Sequence, residues 1–356
     1  MGGRQSKTAV VGVPQTSLVK TDGKAERRKK FRSWRSAAPA LDGNSINDAW
    51  RFAGNGKRIH NLKNSKLLAP LVDEEAERLR RQHRLYKRIW QNNFSAPVEE
   101  KLKSGGARVL DVGCGPGTWT IEMSEAYPLS SFIGVDFMPI FPQEKPENAK
   151  FIQANILDGL PFLDDTFDFV HMRLLVTAFT TTEWEQKVIP EIIRVTRQGG
   201  WVEFMESDIQ YCNEGPTTAR LTNSLMTIMK SKGFVTPINS YVPQSMEANE
   251  KFIKGIQTEE KSCFVGHWAR ELGQMAVDDI TKGWSAVKSP MSTLMKVKSH
   301  EYDETVAIFA KEVEQYRTFF KTWRFFGQKA VTTSLSSSIS TPSKWNEQEQ
   351  QQEQQQ

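Results

Sequence analysis

The chain has 356 residues, of which 38% are apolar and 10% aromatic, so it can bury a core of domain size. Its three cysteines, Cys114, Cys212 and Cys263, are too few and too widely spaced for a disulfide framework or a zinc site, and we expect a reducing, intracellular setting. No run of about 18 apolar residues and no signal sequence is found, so we expect neither a membrane-spanning nor a secreted protein.

The net charge of +5 is unevenly distributed along the chain. Residues 1–70 contain fifteen Lys or Arg and four Asp or Glu, a net charge of +11, which leaves about −6 for the remainder. The basic character therefore belongs to the N-terminal part. It does not indicate that the remainder of the chain binds nucleic acid.

Both ends of the chain have compositions typical of disorder. Residues 1–57 are rich in Gly, Ser, Lys and Arg and show no sustained apolar period. Residues 330–356 are dominated first by Ser and Thr and then by Gln and Glu, which cannot form a packed core. The sequence thus predicts a disordered basic leader, a folded domain over residues 58–329 and a disordered tail.

Strands and helices alternate in the first half of the folded part. The apolar periods predict helices over residues 73–91, 96–102 and 118–126. Short apolar runs predict strands over residues 107–112, 132–136, 151–155, 167–171 and 200–206. This alternation is typical of an α/β fold with a parallel sheet covered on both faces.

After residue 206 the pattern becomes mainly helical. We predict helices over residues 217–232, 245–253, 278–286 and 301–319, and a strand over 261–267. The aromatic segment 320–326 favours a last strand that closes the sheet, antiparallel to its neighbours.

A glycine-rich loop follows the first predicted strand, in the segment Val109 to Thr118. Gly113, Gly115 and Gly117 let the backbone turn tightly and approach a ligand at the carboxyl end of the strand. A nicotinamide or flavin site would require a glycine where Thr118 stands, so a pyrophosphate site is disfavoured. A loop that closes around an amino-acid group and a purely structural connection both stay open.

Three further positions lie at the ends of the next strands. Asp136 can accept hydrogen bonds from both hydroxyls of a ribose, or it can cap a helix. Phe137 can pack on an adenine face or belong to the core. Asn155 and Ile156, after the third strand, are the positions that we expect to contact the adenine edge.

These segments resemble a known family. The segment Asp111 to Thr118, with Cys114 at its centre, the acidic strand end Asp136 and residues 161–168 resemble class I, seven-stranded methyltransferases. Residues 91–97, 170–175 and 194–200 are similar to fungal methyltransferases of the type related to regulators of secondary metabolism. The resemblance covers residues 58–329.

The resemblance implies a Rossmann-like, doubly wound, mostly parallel seven-stranded sheet with helical insertions near the C-terminal part. It also implies S-adenosylmethionine as cofactor, with its methionine part over Gly113 to Gly117 and with Asp111 and Cys114 in the same segment. The ribose would lie on Asp136, and the adenine between Phe137 and Ile156. It implies no defined substrate.

The expected activity is methyl transfer to an unidentified small-molecule or protein acceptor. His171, at the end of the fourth predicted strand, is the candidate general base, and it can equally be a wall residue of the site. Arg173 can hold a carboxylate of the cofactor or substrate, or pair with a nearby acid, and Glu206 and Asp208 are weaker candidates. A non-catalytic regulator with the same fold is the alternative.

Other partners are limited by what the sequence contains. No segment resembles the Asn-Pro-Pro-Tyr or Asp-Pro-Pro-Tyr motif of enzymes that methylate bases, so we expect no nucleic-acid substrate. We expect no metal. The sequence contains no signal from which an oligomeric state follows.

The leader carries signals for a location in the cell. Met1 to Ser6 fits the N-myristoylation pattern, and residues 24–35 hold seven basic residues interleaved with Phe31 and Trp34. One acyl chain together with a basic cluster can hold a protein on an anionic membrane surface. We therefore expect a cytoplasmic protein that associates with membranes; a nuclear import signal or a solvated tail is the alternative.

Overall fold

The computed structural model describes residues 50–52, 58–60, 73–234 and 237–331. Strands β1 (Trp50–Phe52) and β2 (Arg58–His60) pair antiparallel ahead of the main fold. This pair lies on both sides of the boundary predicted at residue 57, and the division into a disordered leader, a folded domain and a disordered tail stays a prediction. The predicted acylation site, the basic run 24–35 and the tail beyond residue 331 lie outside the described residues.

Seven strands form the central sheet of the described chain. They are β3 (Arg108–Val112), β4 (Ser131–Asp136), β5 (Ala149–Gln153), β6 (Phe167–Arg173), β7 (Thr196–Cys212), β8 (Ile253–Phe264) and β9 (Phe319–Lys329). Their order is β5-β4-β3-β6-β7-β9-β8, with β9 antiparallel to both neighbours and the first five strands parallel. This confirms the doubly wound, mostly parallel seven-stranded sheet. Its chain order reverses between β3 and β6, where such sheets bind ligands.

Helices cover both faces of the sheet. They are α1 (Asp73–Trp90), α2 (Glu99–Ser104), α3 (Thr118–Ala126), α4 (Thr181–Glu183), α5 (Ile189–Val195), α6 (Pro216–Ser231), α7 (Ile238–Glu247), α8 (Arg270–Ala286), α9 (Lys288–Met295) and α10 (Ser299–Tyr316). A π-helical turn, Trp184–Val188, joins α4 to α5, and short 3-10 turns occupy Ile156–Asp158 and His267–Ala269. No helix in the described ranges has the length and apolar character needed to cross a membrane.

One predicted helix was wrong. Residues 245–253 were predicted as a helix, but α7 ends at Glu247 and Ile253 begins β8. The helix lies further upstream because Ile238, Val242 and Met246, four residues apart, are buried on one face. Pro243 lies inside α7, although a proline ordinarily interrupts a helix.

The two faces of the sheet pack against different helices. On one face, Leu110, Val170 and Phe204 join a core with α5 and α7. On the other face, Val109 and Phe169 pack against α3. Successive residues of a strand point to opposite faces, so β3 contributes to both cores.

A third core lies among the helices, and we call α1, α6, α8, α9 and α10 the helical cap. Large buried side chains such as Leu85, Tyr302 and Phe309 fill it, together with Met205 and Phe320 from the sheet. Complete burial of one such side chain contributes roughly 1.5–3 kcal/mol. The cap agrees with the helical insertions expected near the C-terminal part.

Candidate functional site

The glycine loop joins β3 to α3 and bends as the sequence predicts. Gly113, Gly115 and Gly117 have φ angles of 71°, 54° and 73°, in the left-handed region that favours glycine. The N–H groups of Gly113 and Cys114 both donate to the Val135 carbonyl, at 2.8 and 3.1 Å. The loop is therefore fixed against β4 at the carboxyl edge of the sheet.

The protein's own side chains occupy the space that the loop glycines leave open. A Cβ atom on Gly117 would lie 2.4 Å from the Phe151 ring, and one on Gly113 would lie 2.4 Å from a Leu175 methyl group. Phe151 in turn stacks on Phe141, with ring centroids 5.4 Å apart. Two of the glycines are thus required by packing within the chain, and close approach of a ligand to this backbone stays a prediction.

Asp136 is bound directly to the glycine loop. The Gly115 N–H donates to its Oδ2 at 2.8 Å, and the Met138 N–H donates to its Oδ1 at 2.9 Å. Burial raises the pKa of Asp136 to about 6, against the opposing effect of these amides. A carboxylate has about four lone-pair sites, so acceptor positions remain for ribose hydroxyls.

The residues predicted to contact adenine lie at the same edge. Ile156 is buried, Phe137 is half-buried and Asn155 is exposed, at the ends of the neighbouring strands β4 and β5. The Asn155 side-chain oxygen accepts the Leu157 N–H at 3.1 Å and so caps the 3-10 turn. The carboxylate of Asp136 and the apolar side chains of Phe137 and Ile156 thus lie at one edge of the sheet, an arrangement that fits a nucleoside; their contacts with S-adenosylmethionine stay a prediction.

His171 lies in an enclosed position. Its Nδ1 is 3.0 Å from Oδ1 of Asp111, whose Oδ2 accepts the Thr120 hydroxyl at 2.7 Å. The ring stacks on Trp119, with centroids 3.9 Å apart and planes inclined by 4°, and is 1% exposed. Burial lowers the pKa of His171 to about 4, so the ring is neutral at neutral pH and donates through Nδ1–H.

The predicted position of His171 needs one correction. The residue stands two positions before the end of β6, because the strand continues to Arg173 in register with β7. Its role as general base stays a prediction. Cys114, from the loop, is also buried, and burial raises the pKa of its thiol well above the ordinary value.

Glu206 is a fully buried carboxyl group beside the loop that follows β6. Its Oε1 accepts the Leu175 N–H at 2.8 Å, whereas its Oε2 has no hydrogen-bond partner among the described residues. Burial raises the pKa of Glu206 to about 8. Just beyond it, the pairing of β7 with β9 shifts between Ser207 and Tyr211, and such bulges often lie next to active sites.

Asp208 lies within this bulge. Its Oδ1 accepts the N–H groups of Ile209 and Gln210 at 2.9 and 3.3 Å, so its carboxylate caps its own turn. Burial raises its pKa.

Sequence reasoning missed a polar network between α1, α3 and β6. The Arg173 Nη2 lies 2.9 Å from His83 Nδ1, and His83 Nε2 lies 2.6 Å from Oε2 of Glu122. No local signal marks these contacts, because Arg173 and His83 are 90 positions apart in the chain. In the part of the chain that is described, no cluster of His, Cys, Asp and Glu is arranged to hold a metal ion.

Comparison with known proteins bears on this geometry. Residues 109–200 match a family described as "Methyltransferase domain". This stretch contains the glycine loop, Asp136 and the strands β3 to β6 of the sheet described above. The chain contains a class I methyltransferase domain. S-adenosylmethionine is the cofactor of this class.

Curated relatives of the methyltransferase domain are fungal. The chain is 31% identical to methyltransferase pytC of Aspergillus terreus, over 45% of this chain and 48% of the relative. It is 28% identical to the secondary metabolism regulator laeA of Aspergillus fumigatus, over 52% of this chain and 50% of the relative. The N-methyltransferase verN of Clonostachys rogersoniana is 30% identical, over 43% and 53%. The chain thus spans about half the length of the curated relatives it matches.

Among solved structures, a Haemonchus contortus phosphoethanolamine N-methyltransferase 2 in complex with S-adenosyl-L-methionine aligns with a TM-score of 0.42 and 16% identity. The alignment covers 69% of this chain and 56% of that one.

Proposed function

We propose that the methyltransferase domain is an enzyme that moves the methyl group of S-adenosylmethionine to a nucleophilic atom of an acceptor molecule. One observation carries the proposal: the Gly115 N–H and Asp136 carboxylate are hydrogen-bonded at 2.8 Å. This bond brings the glycine loop and the strand-end acid into one site. The matched family supports the same reaction.

The chain's own residues have a limited part in such a reaction. When bound, the cofactor supplies a methyl group on a sulfonium, which is already activated for transfer. The protein therefore has to hold the acceptor in line with that group and keep water out, and correct positioning alone lowers the barrier by several kcal/mol, about 7 or more in favourable cases. Asp136 would orient the nucleoside, and the Gly113 to Gly117 loop would hold the amino-acid end.

The acceptor would lie between the sheet edge and the helical cap, and we propose a small molecule or a protein side chain. The bulge after Ser207 supports this position, since it turns β7 away from regular pairing at the edge that carries the loop. Leu225 of α6 packs against both the sheet core and the cap core, so α6 borders the space between them.

Isothermal titration calorimetry with S-adenosylhomocysteine tests whether the chain binds the cofactor, which both the enzyme and the regulator hypotheses require. We expect the native chain to bind and Asp136→Ala to lose about 10- to 100-fold in affinity, because hydrogen bonds to a charged acceptor contribute about 1.5–3 kcal/mol. Asp303→Ala is the matched control, since Asp303 is exposed and pairs with Lys288 at the surface. Native protein without measurable binding at millimolar ligand would refute the proposal.

A non-catalytic regulator is the second candidate function. Two observations favour it: relatives named as secondary metabolism regulators, and the enclosure of His171, which leaves the candidate base 1% exposed. A regulator of this kind would bind cofactor without turnover. Release of S-adenosylhomocysteine in the presence of fungal extract, compared with Asp136→Ala, separates the two functions.

We also propose that the leader holds the protein at an anionic membrane surface through an acylated Gly2 and the basic residues 24–35. Metabolic labelling with an alkyne analogue of myristate tests this proposal, with Gly2→Ala as the control. A native chain that takes up no label would contradict it.

A further inference from the structure

Arg173 is the last residue of β6 and lies beside the glycine loop. Its predecessor Met172 pairs with Val112 of β3, so Arg173 stands level with Gly113 at the carboxyl edge of the sheet. Its side chain is half-buried, and it forms no ion pair with a carboxylate of the described residues. Burial lowers its pKa. A guanidinium that is withdrawn from water without a counter-ion is costly, and such groups are ordinarily paired.

His83 fixes the direction of this guanidinium, and Glu122 in turn fixes His83. Nη2 of Arg173 donates to Nδ1 of His83 at 2.9 Å. Arginine has no acceptor, so His83 must be neutral with its proton on Nε2, which donates to Glu122 at 2.6 Å. Burial also lowers the pKa of His83, which keeps it neutral.

Glu122 is satisfied without a contact to Arg173. Its carboxylate accepts from Lys87 and, at 2.9 Å, from the Asn93 amide, in addition to His83. The chain from Glu122 through His83 therefore orients Arg173, and Glu122 attracts the guanidinium electrostatically without a direct contact.

A purely structural role for Arg173 would need a carboxylate in direct contact, and Asp111 and Glu122 are the two acids that attract it. Asp111 attracts Arg173 electrostatically, yet its two oxygens are bound to Thr120 and His171. A second cation, Arg324, repels Arg173 from the β9 side. Arg324 is itself paired with Glu203, and neither Asp111 nor Glu122 contacts Arg173, so the guanidinium keeps donors that can bind a further anion.

We propose that Arg173 binds a carboxylate of a ligand at the sheet edge, and that His83 and Glu122 are positioning residues that aim it. This inference rests on the proposed function, because two carboxylates can reach that edge: the amino-acid end of the cofactor, and an acid group on the acceptor. The planar guanidinium fork matches a carboxylate with two parallel hydrogen bonds.

The experiment compares two ligands by calorimetry on the full chain. S-adenosylhomocysteine carries the carboxylate, and 5′-(3-aminopropylthio)-5′-deoxyadenosine lacks only that group. We expect native protein to prefer S-adenosylhomocysteine by about 10- to 100-fold, the ordinary effect of a charged hydrogen-bonded pair. Arg173→Met should bind both ligands alike, and Arg173→Lys should retain part of the preference.

The ratio of the affinities for the two nucleosides also tests the positioning residues His83 and Glu122. His83→Phe removes the acceptor for Arg173 and should reduce the preference, whereas the nucleoside analogue should bind as before. Glu122→Gln keeps an acceptor for the His83 N–H and should preserve most of the ratio, unlike Glu122→Leu. Arg197→Met is the matched control, because Arg197 lies at the start of β7 with its side chain 46% exposed.

A third titration separates the two sources of carboxylate. If native protein shows no preference between the nucleosides, benzoate is added to protein saturated with the analogue. Binding of benzoate to native protein but not to Arg173→Met would assign the acid group to the acceptor and support the proposal. Equal behaviour of native and Arg173→Met in both titrations would overturn it while leaving the proposed function intact. Native protein that binds neither nucleoside would refute both.

Discussion

Glu206→Gln tests how strongly burial disfavours the ionised form of a carboxyl group in this fold. The residue is fully buried within β7, with the Leu175 N–H on one oxygen and no partner among the described residues on the other. Glu206→Gln keeps the carbonyl acceptor for Leu175 and removes the titrating proton. The substitution therefore isolates the free energy of ionising this carboxyl group.

The magnitude follows from the pKa of Glu206. Its value rises from 4.5 to about 8 on folding, so the folded protein holds this proton more tightly than the unfolded chain does. Stability is then fully present below pH 4.5 and falls as the pH rises to about 8, by about 1.4 kcal/mol per pH unit. The total is about 5 kcal/mol, a large part of the ordinary stability of a domain.

Urea unfolding of native protein and Glu206→Gln at intervals from pH 5 to pH 9 measures this difference. We expect Glu206→Gln to gain stability relative to the native chain as the pH rises, with a plateau above pH 8. Glu100→Gln, at an exposed position in α2, is the control for the substitution itself. Native and Glu206→Gln curves that run parallel over the whole range would show that the carboxyl group is not withdrawn from water, and the reasoning would fail.

Three other outcomes are expected. Affinity for S-adenosylhomocysteine should fall as the pH falls through about 6, because Asp136 becomes protonated, and calorimetry on Asp136→Asn should show no such step. Gly117→Ala should lose about 1–3 kcal/mol in thermal unfolding, since its Cβ would meet the Phe151 ring, and this loss should be smaller when it is measured in a Phe151→Ala background. Arg324→Met should cost about 3–5 kcal/mol in urea unfolding, because it leaves Glu203 buried without a cation, and an unchanged midpoint would contradict the pairing.

The parts of the site that the sequence predicts are those set by neighbouring residues. The glycine loop follows from its own spacing, and Asp136 from its place at the end of an apolar run. The strand β9 was expected from its aromatic composition, and it pairs antiparallel with both β7 and β8. In each case the signal lies within about ten residues of the chain.

Other features depend on contacts that no local pattern contains. The stack of His171 on Trp119, and the bond from Arg173 to His83, join segments that are far apart in sequence. Glu206 was predicted at a strand end, but it lies inside β7, where it pairs with Trp323 of β9 and its carboxyl group accepts the Leu175 N–H from the loop after β6. The place of Glu206 among the weaker candidates stays a prediction.

The family match covers much of the sheet but not the cap helices that follow β7. Similarity to known proteins therefore informs the function of the sheet and not that of these helices. The family match ends at residue 200, before α6, α8, α9 and α10 begin. It therefore includes the glycine loop and Asp136 but none of the cap helices that follow β7, and the cap is apolar on its inner side, as Tyr302 and Phe309 illustrate. Because methyl transfer depends mainly on how the acceptor is placed, the choice of acceptor would lie with cap residues outside the matched region. Exchanging the cap helices between this chain and a relative should thus change the acceptor while leaving the affinity for S-adenosylhomocysteine within a few-fold.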